Sequence, residues 1–316
     1  MNDANKSQPI HATLFGVAIG DALGVPAEFM SREKLALEPI TDYEGYRSHD
    51  QPAGTFSDDS SLTFCLAESL VNGYDPQDIG KKFIAWYREA YWTAHNELFD
   101  IGMTTKRAIE RLERNIRPDL AGDYEEENNG NGSLMRIMPL LFYIKDMDIN
   151  QRFAITKAIS SITHAHIRSV IACFYYLEFA NRLLQGMDKK TAYEQTAAEV
   201  LPFITKQDIV LREIALFDPL LKHDITQYDI ATIPSFGYVM NTLKASMWCF
   251  MSTDNYAAAV LAAVNLGNDA DTTGAVTGGL AGLYYGYDQI PEKWKTGLHR
   301  HQDVDDLCNR LAKQYL

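Results

Sequence analysis

Apolar residues recur at three- and four-residue spacings through most of this 316-residue chain, as they do in helices that bury one face. Segments 61–71, 76–95, 103–114, 165–184, 235–250 and 256–266 carry the pattern most plainly. The strict apolar–polar alternation of a half-buried strand is scarce. The pattern predicts an all-α fold, a single compact multi-helix bundle. No Pro/Ser/Gly-rich linker or charge block divides the chain, and its most acidic stretch, 123–127, runs straight into a Gly/Asn-rich loop. One domain over 11–316 is expected, preceded by a polar tail, 1–10.

Two of the helical runs carry glycine at every fourth position: Gly16, Gly20 and Gly24, then Gly274, Gly278, Gly282 and Gly286. Such bare stripes let two helix backbones approach closely. These runs are too short and polar for a membrane dimer, so close packing in a globular core is expected, centring the bundle near its chemistry.

Composition narrows the function classes. Hydrophobic residues make up 46% of the chain, enough for a substantial core. Asp and Glu number 42 against 29 Lys and Arg, a net charge of −13. That balance argues against general nucleic-acid binding or attraction to an acidic membrane, and an anionic substrate would need local neutralisation. Cys65, Cys173, Cys249 and Cys308 are widely spaced without CxxC pairing and read as reduced core thiols. The start lacks the apolar core of a signal peptide, and no later stretch is expected to serve as a membrane span. A cytoplasmic monomer is the expectation.

Candidate chemistry concentrates in two acidic clusters, Ser57-Asp58-Asp59-Ser60 and Asp269-Ala270-Asp271-Thr272-Thr273, each at the start of a helical run. Carboxylates gathered in one pocket repel one another and are costly to ionise together unless divalent cations balance them. Oxygen-only donors favour Mg2+ or Mn2+ over zinc, and four carboxylates suit two ions better than one. Such a centre can acidify water and orient a substrate hydroxyl or phosphate. The competing reading is that both clusters are helix N-caps.

The loop 128–136 contains Gly130, Asn131, Gly132, Ser133 and Leu134 before an apolar run, 137–144. Glycines there would free successive N–H groups to face an anion, a plausible phosphate cradle that lacks the Lys-Ser/Thr of a P-loop. Alone it would be an ordinary turn. Glu28 follows a glycine-rich segment and could enter a pocket as acid, base or water holder, or be a solvated surface residue. His164 and His166 begin another helix, where they would cap, pack or touch ligand; without an i,i+4 partner or Cys they are poor metal ligands.

Segments 16–29, 54–70, 129–140, 162–176, 235–250 and 263–286, in this order, resemble the ADP-ribosylglycohydrolase family over nearly the whole chain. The ordered set is highly specific, above all SDDS with GNDADTTG. The resemblance implies a compact all-α hydrolase with a binuclear Mg2+ or Mn2+ centre that cleaves the glycosidic bond between ADP-ribose and an acceptor. By position, Ser57, Asp58, Asp59, Asp269, Asp271 and Thr272 match its metal ligands, and Glu28 its catalytic glutamate. Asp59 and Asp271 are the ligands whose loss is expected to abolish hydrolysis. Gly130 to Leu134 match the pyrophosphate loop, and His164 and Tyr238 lie in segments resembling pocket walls. Ser57 replaces a frequent Thr, Asn268 a common Gly, and Asn241 a frequent Asp.

The implied substrate is an ADP-ribosylated protein, with arginine the leading acceptor; serine, nucleic-acid and small-molecule linkages stay open. A binuclear phosphohydrolase and a non-catalytic ADP-ribose-binding protein are the competing functions, separable by whether phosphate, free ADP-ribose or nothing is released.

Overall fold

The computed structural model describes residues 8–316, whose regular structure is helical throughout. Backbone pairing of β type among them is confined to two isolated bridges, Asp123 with His164 and Gly130 with Tyr238. Of the expected polar tail, residues 1–7 lie outside the described residues, whereas Gln8 already opens the first helix, Gln8–Gly24. The run 76–95 stops being helical at Glu89, because Ala90 turns left-handed (φ 55°) and its N–H closes back on the Ala85 carbonyl. The run at 235 becomes helical only at Val239, with extended Tyr238 before it.

The centre is the pair formed by Gln8–Gly24 and Ala270–Tyr285. Every residue from Ile10 to Gly24, and from Ala270 to Leu283, is buried, as expected of helices apolar on all sides. The Gln8–Ala27 segment is long and apolar enough for a membrane span, mean hydropathy 1.4, contrary to the expectation that no stretch would be. Here it is enclosed by protein from Ile10 onward.

The glycine stripes face each other antiparallel. A Cβ on Gly278 would overlap the Gly16 carbonyl oxygen, one on Gly274 the Gly20 oxygen, and one on Gly282 the Ala12 oxygen. Gly286 belongs to neither contact: at φ 91° it ends the helix, and a Cβ there would meet nothing within 4 Å. The antiparallel register has a consequence for the site. It lays the C-terminal end of the first helix, where a Cβ on Gly24 would strike the Asp271 backbone, against the N-terminal end of the second. The helix Asp58–Leu70 packs on both, so three helix ends meet at one point.

Candidate metal centre and ligand cavity

Asp21 sits one helical turn before Gly24 and is completely buried. Its carboxylate accepts the Ser57 N–H at 2.9 Å, the Ser60 N–H at 3.0 Å and the Ser60 hydroxyl at 2.5 Å. It thereby holds the first turn of Asp58–Leu70 in place. Burial still pushes its pKa up to about 6. Ser57 is the N-cap of that helix: its hydroxyl accepts the Asp59 N–H at 3.3 Å and donates to Asp59 Oδ2 at 3.1 Å. The capping reading is therefore correct for Ser57.

Capping does not explain the second cluster. Asp269 occupies the N-cap position of Ala270–Tyr285 without a side-chain capping bond; its Oδ2 instead accepts the Asn131 amide at 2.5 Å. Thr272 donates to Asp59 Oδ2 at 3.3 Å, joining the two helix starts. Around this link the carboxylate oxygens of Asp21, Asp59 and Asp271 lie within 4.8 Å of one another, as do those of Glu28, Asp269 and Asp271.

Asp59 Oδ1 is fully buried and has no hydrogen-bond partner among the described residues. Burial first, then repulsion from neighbouring carboxylates, raises Asp58, Asp59 and Asp271 well above the usual carboxylate range. Acids so placed either keep their protons or face a cation. The orphaned oxygen and the all-oxygen donor set fit a hard divalent ion, so these clusters could hold metal.

A cavity of about 600 Å³ opens over the acids. Of the residues singled out in the sequence, Glu28, Asp58, Gly130, Asn131, Gly132, His164, Asp269 and Thr272 line it. Ser57, Asp59 and Asp271 lie buried beneath. Ser133 and Leu134 point into the core, with the Ser133 hydroxyl 3.0 Å from that of Ser160. Tyr238 is half-buried against the Arg168 guanidinium, 5.7 Å from its ring centre. His166 caps the helix Ile167–Leu184, accepting the Arg168 N–H, while His164 turns into the cavity wall.

Glu28 reaches the cavity because the chain turns sharply after it. Phe29 is left-handed (φ 61°), as is Asn268 (φ 58°), the conformation that glycine takes freely and Asn tolerates. The two segments bond reciprocally, Phe29 N–H to the Asn268 carbonyl at 2.6 Å and Asn268 N–H to the Met30 carbonyl at 2.7 Å. Burial raises Glu28 to about 7 despite its close contact with His49, and that contact raises His49. Phe29 itself is 72% exposed and stands at the cavity rim with Phe236.

Three residues here escaped the sequence reading. Asp21 had a signal, a carboxylate inside an otherwise apolar helical run. His49, in a polar loop, and Asp100, a cavity carboxylate between Phe99 and Ile101 that raises Asp58 and Glu28, lie in loops whose sequence carries none.

The family model for ADP-ribosylglycohydrolase matches residues 2–316. An ADP-ribosylarginine hydrolase of Serratia proteamaculans is 32% identical over 94% of this chain and 77% of its own length. The ADP-ribosyl-[dinitrogen reductase] glycohydrolase of Rhodospirillum rubrum is 27% identical over 90% of this chain and 87% of its own. A solved structure described as an ADP-ribosylglycohydrolase-related protein complex superimposes with a TM-score of 0.82 at 28% identity, covering 98% of this chain and 99% of that one. The chain belongs to the ADP-ribosylglycohydrolase family.

Proposed function

We propose that this glycohydrolase removes ADP-ribose from modified protein, with ADP-ribosylated arginine as its substrate, by cleaving the bond between C1″ and the acceptor. The observation that carries the reading is one cavity in which the carboxylates of Glu28, Asp58 and Asp269 face a glycine-bordered loop, with Asp59 and Asp271 buried beneath them. Relatives named for arginine and for dinitrogen reductase support the acceptor class.

Ser57, Asp58, Asp59, Asp269, Asp271 and Thr272 would hold two Mg2+ or Mn2+ ions, which supply charge neutralisation, orientation of ribose hydroxyls and acidification of water. Glu28 stands over these groups with a pKa near neutrality, suited to take a proton from the incoming water and return one to the departing guanidine. Hydrolysis forms the C1″–O bond and breaks the C1″–N bond through an oxocarbenium-like state. Gly130, Asn131 and Gly132, with His164 behind them, would seat the diphosphate and so align C1″ with binding energy from remote atoms. Ser133 and Leu134 support that loop from the core, and Tyr238 holds its flank through the Gly130 bridge. The four buried free cysteines support a reducing, cytoplasmic setting.

The test is release of free ADP-ribose from arginine-modified and serine-modified proteins, each with Mg2+ or Mn2+ and with chelator. Metal-dependent release from the arginine-linked protein is expected. Release of phosphate instead, or tight ADP-ribose binding without turnover of either substrate, would overturn the reading.

A further inference from the structure

Arg136 is fully enclosed, and no acidic side chain bonds to it among the described residues. Its Nη2 donates to the Ile159 carbonyl at 3.1 Å and to the Thr163 hydroxyl oxygen at 2.8 Å, while Nε and Nη1 have no hydrogen-bond partner among the described residues. The guanidinium lies over the Phe83 ring at 4.7 Å. A buried cation without a counter-ion is expensive to keep. It stands behind the loop wall of a cavity whose charged lining residues, Glu28, Asp58, Asp100 and Asp269, are all acids, and that placement suggests a task.

We propose that Arg136 and Thr163 are positioning residues that hold His164 as the neutral tautomer protonated at Nε2, making that N–H a fixed donor to a diphosphate oxygen seated against Gly130 and Gly132. The polarity follows from donor inventories. A guanidinium has no acceptor, so Thr163 Oγ1 must accept from Arg136. The second contact of Oγ1 is His164 Nδ1 at 2.9 Å. Were Nδ1 protonated, the oxygen would accept twice and the Thr163 hydrogen would be buried with no acceptor among the described residues, the costlier arrangement. The hydroxyl therefore donates to Nδ1, and the proton of the neutral ring resides on Nε2.

That nitrogen looks outwards. A Cβ on Gly130 would come within 3.4 Å of Nε2, and one on Gly132 within 2.7 Å of Cε1. Neither glycine has a positive φ, so what the loop needs there is room for the imidazole edge. Burial, followed by the Arg136 charge, lowers His164 to about 3, so the ring gains no second proton near neutral pH. A neutral donor also suits its surroundings, since an imidazolium could pair with the cavity acids instead of the ligand.

The diphosphate as ligand rests on the function proposed above; the tautomer does not. Long-range 1H–15N correlation of histidine-labelled protein reads it directly, with His164 assigned among the eight histidines by loss of its signal in His164→Gln. The ligand-free wild-type protein is expected to show an unprotonated Nδ1 and a protonated Nε2. Thr163→Val, nearly isosteric and more readily folded than an Arg136 variant, is expected to lose that pattern. It should also weaken ADP-ribose binding about tenfold, the loss expected for one hydrogen bond to a charged oxygen, and Thr163→Ser should restore both. A protonated Nδ1 in the wild type, or an unchanged tautomer in Thr163→Val, overturns the relay. A shifted tautomer with unchanged ADP-ribose affinity overturns the donor role. Failure of the wild-type protein to bind ADP-ribose overturns the functional reading alone, while the tautomer measurement stands.

Discussion

The acidic floor of the cavity is made by two helix starts that crowd carboxylates together, Asp58 and Asp59 on one, Asp269 and Asp271 on the other. The wall from Gly130 to His164 is made by a loop backed by a buried arginine. The floor crowds carboxyl groups together and, among the described residues, leaves an oxygen of Asp59 without a hydrogen-bond partner; the wall presents Gly130, Gly132 and the His164 ring to the cavity, with the Arg136 guanidinium buried behind it. The difference teaches how a chain of net charge −13 can accept a doubly anionic group. It separates within one cavity the carboxylates that call for cations from the wall backed by Arg136, and an ADP-ribose bound as proposed would span both.

The comparison is broken most severely by removing the floor. Asp271 is shared by both carboxylate groups, so Asp271→Ala should lower ADP-ribose release on the order of a thousandfold. Its circular dichroism and ADP-ribose affinity through the loop wall should change far less. Near-normal turnover would remove the floor from the chemistry. Glu28→Gln comes next: a loss of about a hundredfold in kcat with little change in KM is expected if its carboxyl transfers protons. An effect on KM alone would recast Glu28 as a binding group.

Damage to the wall should have a different signature. In Gly132→Ala the new methyl would press on His164 Cε1 and lie 3.0 Å from Thr105 Oγ1. Weakening of ADP-ribose binding by about tenfold is expected, with Mn2+ affinity unchanged as measured by calorimetry. Coupled loss of both would show that the two regions are not separable.

The smallest effect sharpens the charge argument. Asp21 and Glu28 are raised by burial to about 6 and about 7, so the folded chain holds their protons more tightly than the unfolded one. The stability they contribute is therefore complete below the ordinary carboxylate range and is lost as pH rises through 6 to 7. His164, lowered to about 3, works in the opposite direction up to about pH 6.5. Metal-free protein should therefore lose Tm between pH 6.5 and 7.5, where the two acids act alone against it, and Mn2+ should raise Tm more at pH 7.5 than at pH 6.5. A metal-free Tm that climbs across this interval would contradict the burial assigned to these groups.

The floor was legible in the sequence because its chemistry is local: adjacent acids and hydroxyls at a helix start declare themselves within five residues. The glycine stripes likewise announced a close helix pair, since every fourth position is one face, although Gly286 proved to be a terminator. The wall was legible only in part. Gly130 and Gly132 were read as backbone freedom, whereas their use is space for the ring of His164, more than 30 residues further along the chain. The roles of Arg136 and Thr163 arise from a contact between separate segments that no local pattern reports. His49 reaches Glu28 in the same way, across a loop whose polar sequence looks like any solvated turn.

The separation of floor and wall is tested most directly by diffraction at the manganese absorption edge from crystals soaked in Mn2+ and ADP-ribose. Anomalous peaks among Asp59, Asp269 and Asp271, with the diphosphate against Gly130 and Gly132 and C1″ within reach of Glu28, are the result this arrangement requires. Manganese bound elsewhere, or a diphosphate lying over the carboxylates with the Gly130–Gly132 loop empty, would contradict it.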